Sequence, residues 1–109
     1  MYFEVDLSNN NIILSYPSTK EHTDFIKTII SDKIKYDEIE LTDQENDNFL
    51  NIYNELCTKY NNIIIVGSNE VNKNTVCISK ITFDEDTEKY NEQLIDYDID
   101  EFCRFLSLT

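Results

Sequence analysis

Carboxylates are the groups with which this chain can do chemistry, and they are unevenly placed. The 109 residues carry 22 Asp and Glu against 9 Lys and Arg, a formal net charge of −13. Residues 37–55 hold seven acids and no base, and residues 84–101 hold nine acids with Lys89 alone to oppose them. The remaining stretches, 1–36 and 56–83, are close to neutral. Rings accompany the acids: Tyr36 precedes Asp37 and Glu38, Phe83 precedes Asp84, Glu85 and Asp86, Tyr90 follows Glu88, and Tyr97 lies between Asp96 and Asp98. Carboxylates that pair with guanidinium or ammonium groups, beside flat rings on which those groups stack, make a surface suited to a basic partner. The partner-binding candidates are therefore Asp84, Glu85, Asp86, Glu88, Tyr90, Asp96, Tyr97 and Asp98, with Asp37, Glu38 and Glu40 from the first block. If both blocks fold to one side, they form a single anionic face. The competing explanation is local: acids such as Asp43, Glu45, Asp98 and Glu101 suit helix starts, and tyrosines suit a core. One turn of helix has no use for nine acids, however.

Other chemistries lack their residues. His22 is the single histidine and shares a helical face with Phe25 and Ile26, which suits a packed imidazole better than a catalytic base. Cys57, Cys77 and Cys103 are odd in number, widely spaced and set in apolar patterns, as reduced core thiols would be. The alternating acids at 43, 45 and 47 and at 84, 86 and 88 lack the glycine and the closing glutamate of a calcium loop. Gly67 is the single glycine, too few for a phosphate cradle. The expectation is a protein with no catalytic residues, no cofactor and no metal, one that avoids nucleic acid and anionic membrane by charge repulsion. There is no apolar run of membrane-span length and no signal-peptide start, so the expected location is cytoplasmic.

The elements that must position these residues centre on Asn61 to Ser68, where four β-branched residues, Ile63 to Val66, run into Gly67. This pattern predicts a strand buried on both faces. Upstream, residues 2–7 and 12–14 read as a hairpin closed by Pro17. A capping box at Ser18 to Glu21 opens a helix carrying His22, Phe25, Ile26, Ile29 and Ile30 to about Lys33. Residues 36–41 read as a short strand. A second box, Thr42 to Glu45, opens a helix with Phe49, Ile52, Tyr53, Leu56, Cys57 and Tyr60 on one face. After a polar loop from Gly67 to Asn74, residues 75–83 form the longest strand, with a bulge near Ser79 and Lys80 to turn Val76, Ile78, Ile81 and Phe83 to the same side. Residues 84–97 fit an acidic helix or an edge strand equally well. A helix capped near Asp98 carries Ile99, Phe102, Cys103 and Leu106. The expected architecture is one α+β domain over 1–109: a mainly antiparallel sheet of four to five strands against two to three helices, in the order ββα(β)αββ(α or β)α.

The functional expectation is an acidic, non-catalytic binding protein that neutralises a basic partner. Small size, acidity and the lack of catalytic motifs are the general character of toxin immunity proteins, which here would cover the active site of a nuclease. The alternatives are a phage-encoded nucleic-acid mimic directed at restriction or CRISPR nucleases, and a soluble adaptor that docks through a sheet edge or the Phe102, Phe105 and Leu108 side of its last helix. Oligomeric state is left open by the sequence.

Overall fold

The computed structural model describes residues 10–31, 34–41 and 49–107. Their order is β1 (Asn11–Ser15), a 3-10 turn (Pro17–Thr19), α1 (Lys20–Ile30), β2 (Asp37–Glu40), α2 (Phe49–Cys57), β3 (Asn62–Val66), α3 (Ser68–Lys73), β4 (Thr75–Asp84), β5 (Lys89–Asp98) and α4 (Ile99–Ser107). The five strands form one mixed sheet in the order β2-β1-β3-β4-β5. The β-branched run therefore sits where its composition predicts, at the middle of the sheet. β1 pairs in parallel with both β2 and β3, whereas β3–β4 and β4–β5 are antiparallel. Half of the interfaces are parallel, but β4–β5 is the longest ladder, so the domain is α+β as expected.

Two crossovers run in opposite directions across the sheet, β1–α1–β2 outward and then β2–α2–β3 back past β1. Right-handed connections of this kind deliver their helices to opposite faces of the sheet. On one face Ile13, Ile64, Val66, Val76 and Ile78 pack with Ile26 and Ile30 of α1 and with Ile99 and Phe102 of α4. On the other, Ile12, Leu14, Ile63 and Ile81 pack with Leu41 and with Tyr53 and Leu56 of α2. Each fully buried aliphatic side chain contributes about 1.5–3 kcal/mol relative to exposure. Two polar residues sit among the buried strand positions: Asn62 Nδ2 donates to Asn11 Oδ1 at 2.9 Å, and Asn11 Nδ2 donates to the Lys35 carbonyl at 3.0 Å, which ties β3 and β1 to the approach to β2.

Covering both faces removes the need for the expected bulge. The β3–β4 and β4–β5 registers run without interruption through Ser79 and Lys80. Ile81 is not turned to the side of Ile78; it points to the α2 face, which has a core of its own. The polar segment after Gly67 is a short helix, α3, rather than a loop. Glu70 Oε1 accepts from the Gly67 N–H at 3.1 Å, and Asn74, left-handed at φ 55°, accommodates the chain reversal that follows. Residues 84–97 resolve to a strand: β5 returns along β4 after a turn at 85–88 in which Glu88 takes φ 55°. α1 begins at Lys20 after the 3-10 turn, and Thr19, not Ser18, is the anchoring hydroxyl: its Oγ1 accepts from the Tyr16 N–H at 3.2 Å and lies 3.0 Å from the Val66 carbonyl. The expected strand at 2–7, the Thr42 to Glu45 box, residues 32–33, the Phe105 side chain and Leu108 fall outside what the structure describes. Among the described residues no helix is long and apolar enough to cross a membrane.

Candidate functional site: the outer face of the β4–β5 hairpin

The site candidates of the first acidic block and those of the second lie on opposite sides of the sheet. Asp37, Glu38 and Glu40 belong to β2, the last strand on one side, and Asp84 to Asp98 belong to the β4–β5 hairpin at the other. Four inter-strand gaps of ~4.8 Å place these edges roughly 19 Å apart. Among the described residues, Asp37, Glu38 and Glu40 do not share an edge with the hairpin acids, because β1 and β3 stand between β2 and the hairpin.

All three β2 acids are exposed, and two of them bond within the fold. Alternation along β2 turns Asp37 to the α2 face and Glu38 to the α1 face. Asp37 Oδ2 accepts from the Tyr60 hydroxyl at 2.7 Å, and Glu38 Oε2 pairs with Lys27 Nζ at 2.7 Å. These bonds raise the Tyr60 phenol and the Lys27 ammonium above their ordinary values. Glu40 is exposed at the edge.

The hairpin acids face solvent. Glu85, Asp86 and Glu88 are exposed in the turn, where Asp84 Oδ1 accepts from the Asp86 N–H at 3.0 Å. Asp98 Oδ1 accepts from the Asp100 N–H at 2.9 Å, so Asp98 caps α4 as its position suggests. Tyr97 is not available to a partner: it is 7% exposed and packs with Val76 and Phe102. Its neighbours in β5 then follow by alternation. Ile95 and Tyr97 point to the α1/α4 core, so Tyr90, Glu92, Leu94 and Asp96 point to the α2 side. On that side α2 covers Ile81 and stops short of the outer strand, which leaves Phe83, Tyr90 and Leu94 between 50% and 59% exposed. Phe83 and Tyr90 are cross-strand partners with ring centroids 5.0 Å apart.

Between α2 and this surface lies a cavity of about 420 Å³ lined by Leu50, Tyr53, Cys57, Ile81, Tyr90 and Glu92, among others. Glu92 sets its polarity. The buried Tyr53 hydroxyl donates to Glu92 Oε2 and is shared with Ser79 Oγ, so the carboxylate is held by a group that is itself locked in the core. Burial, and then the bond to Glu92, drive the Tyr53 phenol far above its ordinary range. Further along the same face, burial and the adjacent Asp96 push the Cys77 thiol up to about 12. Neither group ionises near neutral pH. Glu92 was missed from sequence because 84–97 had no assigned period, while Tyr53 was read only as part of the apolar face of α2 and Leu50 falls outside that face. Once the segment is a strand, Tyr90-x-Glu92-x-Leu94-x-Asp96 is a visible alternation.

The remaining candidates resolve quietly. His22 is half-buried and its Nε2 donates to the Thr75 carbonyl at 2.9 Å, a structural role. The three thiols are unbridged and half-buried rather than sealed in the core. Among the described residues no three His, Cys, Asp or Glu side chains converge as a metal-holding group.

No protein-family model matches the chain, and neither does any curated protein. Solved structures do share its fold. The RNA binding domain of threonyl-tRNA synthetase from Cryptosporidium parvum Iowa II aligns over 91% of this chain and 23% of its own, at 16% identity and TM-score 0.56. A protein of Aeropyrum pernix assigned as a threonyl-tRNA synthetase aligns over 91% and 23%, at 13% identity and TM-score 0.59. The apo histidyl-tRNA synthetase of S. aureus aligns over 97% and 25%, at 12% identity and TM-score 0.51. The chain spans about a quarter of the length of each. At these identities the likeness is one of fold.

Proposed function

We propose that this chain is a non-catalytic recognition domain that takes a basic protein partner on the outer face of its β4–β5 hairpin. The observation that carries the reading is the coincidence, on one strand face, of solvent-facing carboxylates (Glu92, Asp96 and the acids of the turn) with the exposed rings of Phe83 and Tyr90. Such a surface attracts a cation at long range and then offers it aromatic area at contact. In its most concrete form the partner is a basic nuclease or toxin domain in the same cytoplasm, whose phosphate-binding groove accepts the hairpin acids in place of a nucleic acid. Inhibition of this kind is led by one edge of the sheet, because at the other edge Asp37 and Glu38 already bond Tyr60 and Lys27.

A second reading, RNA binding, is favoured by the structural likeness to the RNA binding domain of a threonyl-tRNA synthetase. Charge opposes it. A surface at −13 overall repels phosphates, and RNA affinity rests on releasing counterions from them. The two readings part in one experiment: capture on the immobilised chain at low salt from its native host, eluted by a salt gradient, alongside filter binding of bulk host tRNA. The proposal expects basic proteins to elute at moderate salt, to be lost when Asp84 and Asp86 are changed to Asn, and tRNA to pass through. Saturable tRNA retention, or a set of partners indifferent to both salt and those substitutions, would overturn it.

A further inference from the structure

Building on the reading of the hairpin as the docking face, we infer that the cavity between α2 and β5 is an anchor site for one arginine side chain of the partner. Three features argue for this occupant. First, the cavity carries a charge at its mouth, where Glu92 is exposed. The Glu92 carboxylate is fixed by the Tyr53 hydroxyl, which is shared with Ser79, and that one bond leaves both carboxylate oxygens able to accept more. A neutral or apolar occupant would strip water from Glu92 and return nothing for it, and an anion would be repelled; a cation compensates the carboxylate it desolvates.

Second, the walls are flat and apolar. Exposed Tyr90 and Leu50 line the cavity beside Glu92, and buried Ile81 lines its inner end. A guanidinium presents a planar fork of donors to a carboxylate while its faces and methylene stem lie against rings and aliphatic groups. A compact, strongly hydrated ammonium uses neither the planarity nor the walls. Third, the size is that of an anchor pocket. About 420 Å³, at the small end of ligand cavities, is room enough for one long side chain. Leu50 at the cavity and Leu94 on the same face of β5, 69% and 59% exposed, are apolar surface that a partner would cover. A central charged anchor inside a water-excluding rim is the arrangement in which arginine contributes most to an interface. The ion pairs among the described residues, Lys20–Asp24, Lys27–Asp24, Lys27–Glu38 and Lys59–Glu55, lie elsewhere and leave Glu92 to such a guest.

The test uses the full chain and three small probes: N-acetyl-arginine amide, its lysine counterpart, and N-acetyl-citrulline amide, which keeps the shape of arginine without the charge. Titration followed by NMR is expected to shift resonances of Leu50, Tyr90, Glu92 and Leu94 with the arginine probe, more weakly with lysine and not with citrulline. Glu92→Gln, which keeps an acceptor for Tyr53, is expected to weaken the arginine response by about tenfold or more. Glu38→Gln, at the other edge, is expected to leave it unchanged. An equal response to citrulline, shifts centred on β2, or an undiminished response in a Glu92→Gln protein of normal melting temperature would overturn the assignment. The outcomes separate the two proposals. Salt-sensitive capture of a basic protein without arginine binding in the cavity sinks the anchor alone, and arginine binding without such a partner sinks the proposed function.

Discussion

A phenol donates to a carboxylate at both edges of this sheet, and the two bonds differ in what they leave available. At the β2 edge Tyr60, on the surface, bonds Asp37, and Lys27 reaches across from α1 to Glu38, so the acids there spend their charge on holding α1 and the segment after α2 to the edge strand. At the β5 edge the donor, Tyr53, is buried, and the acceptor, Glu92, lies at the mouth of a cavity. The first arrangement quenches an acid, whereas the second aims one. Density of charge along the chain therefore says little about which carboxylates a partner can reach, and the strand that carries them decides.

The comparison gives a first pair of substitutions. Tyr53→Phe leaves the buried Ser79 hydroxyl without its partner and is expected to cost about 1–3 kcal/mol in urea unfolding, whereas Tyr60→Phe, at an exposed bond, is expected to cost under about 1 kcal/mol. Equal costs would show that the two bonds are equivalent after all.

Raising the pH probes the α2 side of the hairpin next. The Cys77 thiol moves from 9.0 to about 12 on folding, and Tyr53 moves upward from 10.0. A folded value above the unfolded one means that the native state holds the proton longer, so this stability is complete below about pH 9 and is lost as pH rises toward the folded values. Unfolding free energy is expected to fall steadily from pH 9 to 12, and Cys77→Ala is expected to flatten the first part of that fall. A flat profile in the parent protein would contradict the burial assigned to the α2 face. The smallest effect belongs to Glu38→Gln, which removes a pair whose carboxylate is half exposed. It is expected to lower stability by no more than about 1 kcal/mol.

Much of this fold was legible from local patterns. Four consecutive β-branched residues marked β3 as the central strand, helical spacing from Phe49 to Cys57 marked α2, and Asp98 with the stripe of Ile99 and Phe102 marked α4. What stayed hidden has physical reasons. A bulge was expected at Ser79 because one buried face was assumed, and with α2 on the second face Ile81 needs none. α3 carries one apolar residue, Val71, among polar ones and so has no amphipathic period to read. Strand order leaves no mark on sequence either, and nothing local announces that β1 and β3 come between the β2 acids and the hairpin. The loss of the shared face and of Tyr97 follows from that order and from the alternation it imposes on β5. Glu92 became visible as a site residue only with its strand partner Ile81 and with Tyr53 beneath it.

The central claim, that one edge recognises a basic partner and the other does not, is tested most directly by two variants that remove the same amount of charge. One carries Asp84→Asn, Asp86→Asn and Glu92→Gln; the other carries Asp37→Asn, Glu38→Gln and Glu40→Gln. Each is mixed with a hexa-arginine peptide at low ionic strength, and binding is followed by tyrosine fluorescence. Because the net charge falls equally, any nonspecific attraction is lost equally. The expected result is a loss of affinity of about tenfold or more for the hairpin variant and of less than about twofold for the β2 variant. Equal losses would mean that the peptide senses only total charge, and the hairpin would have no privileged part in recognition.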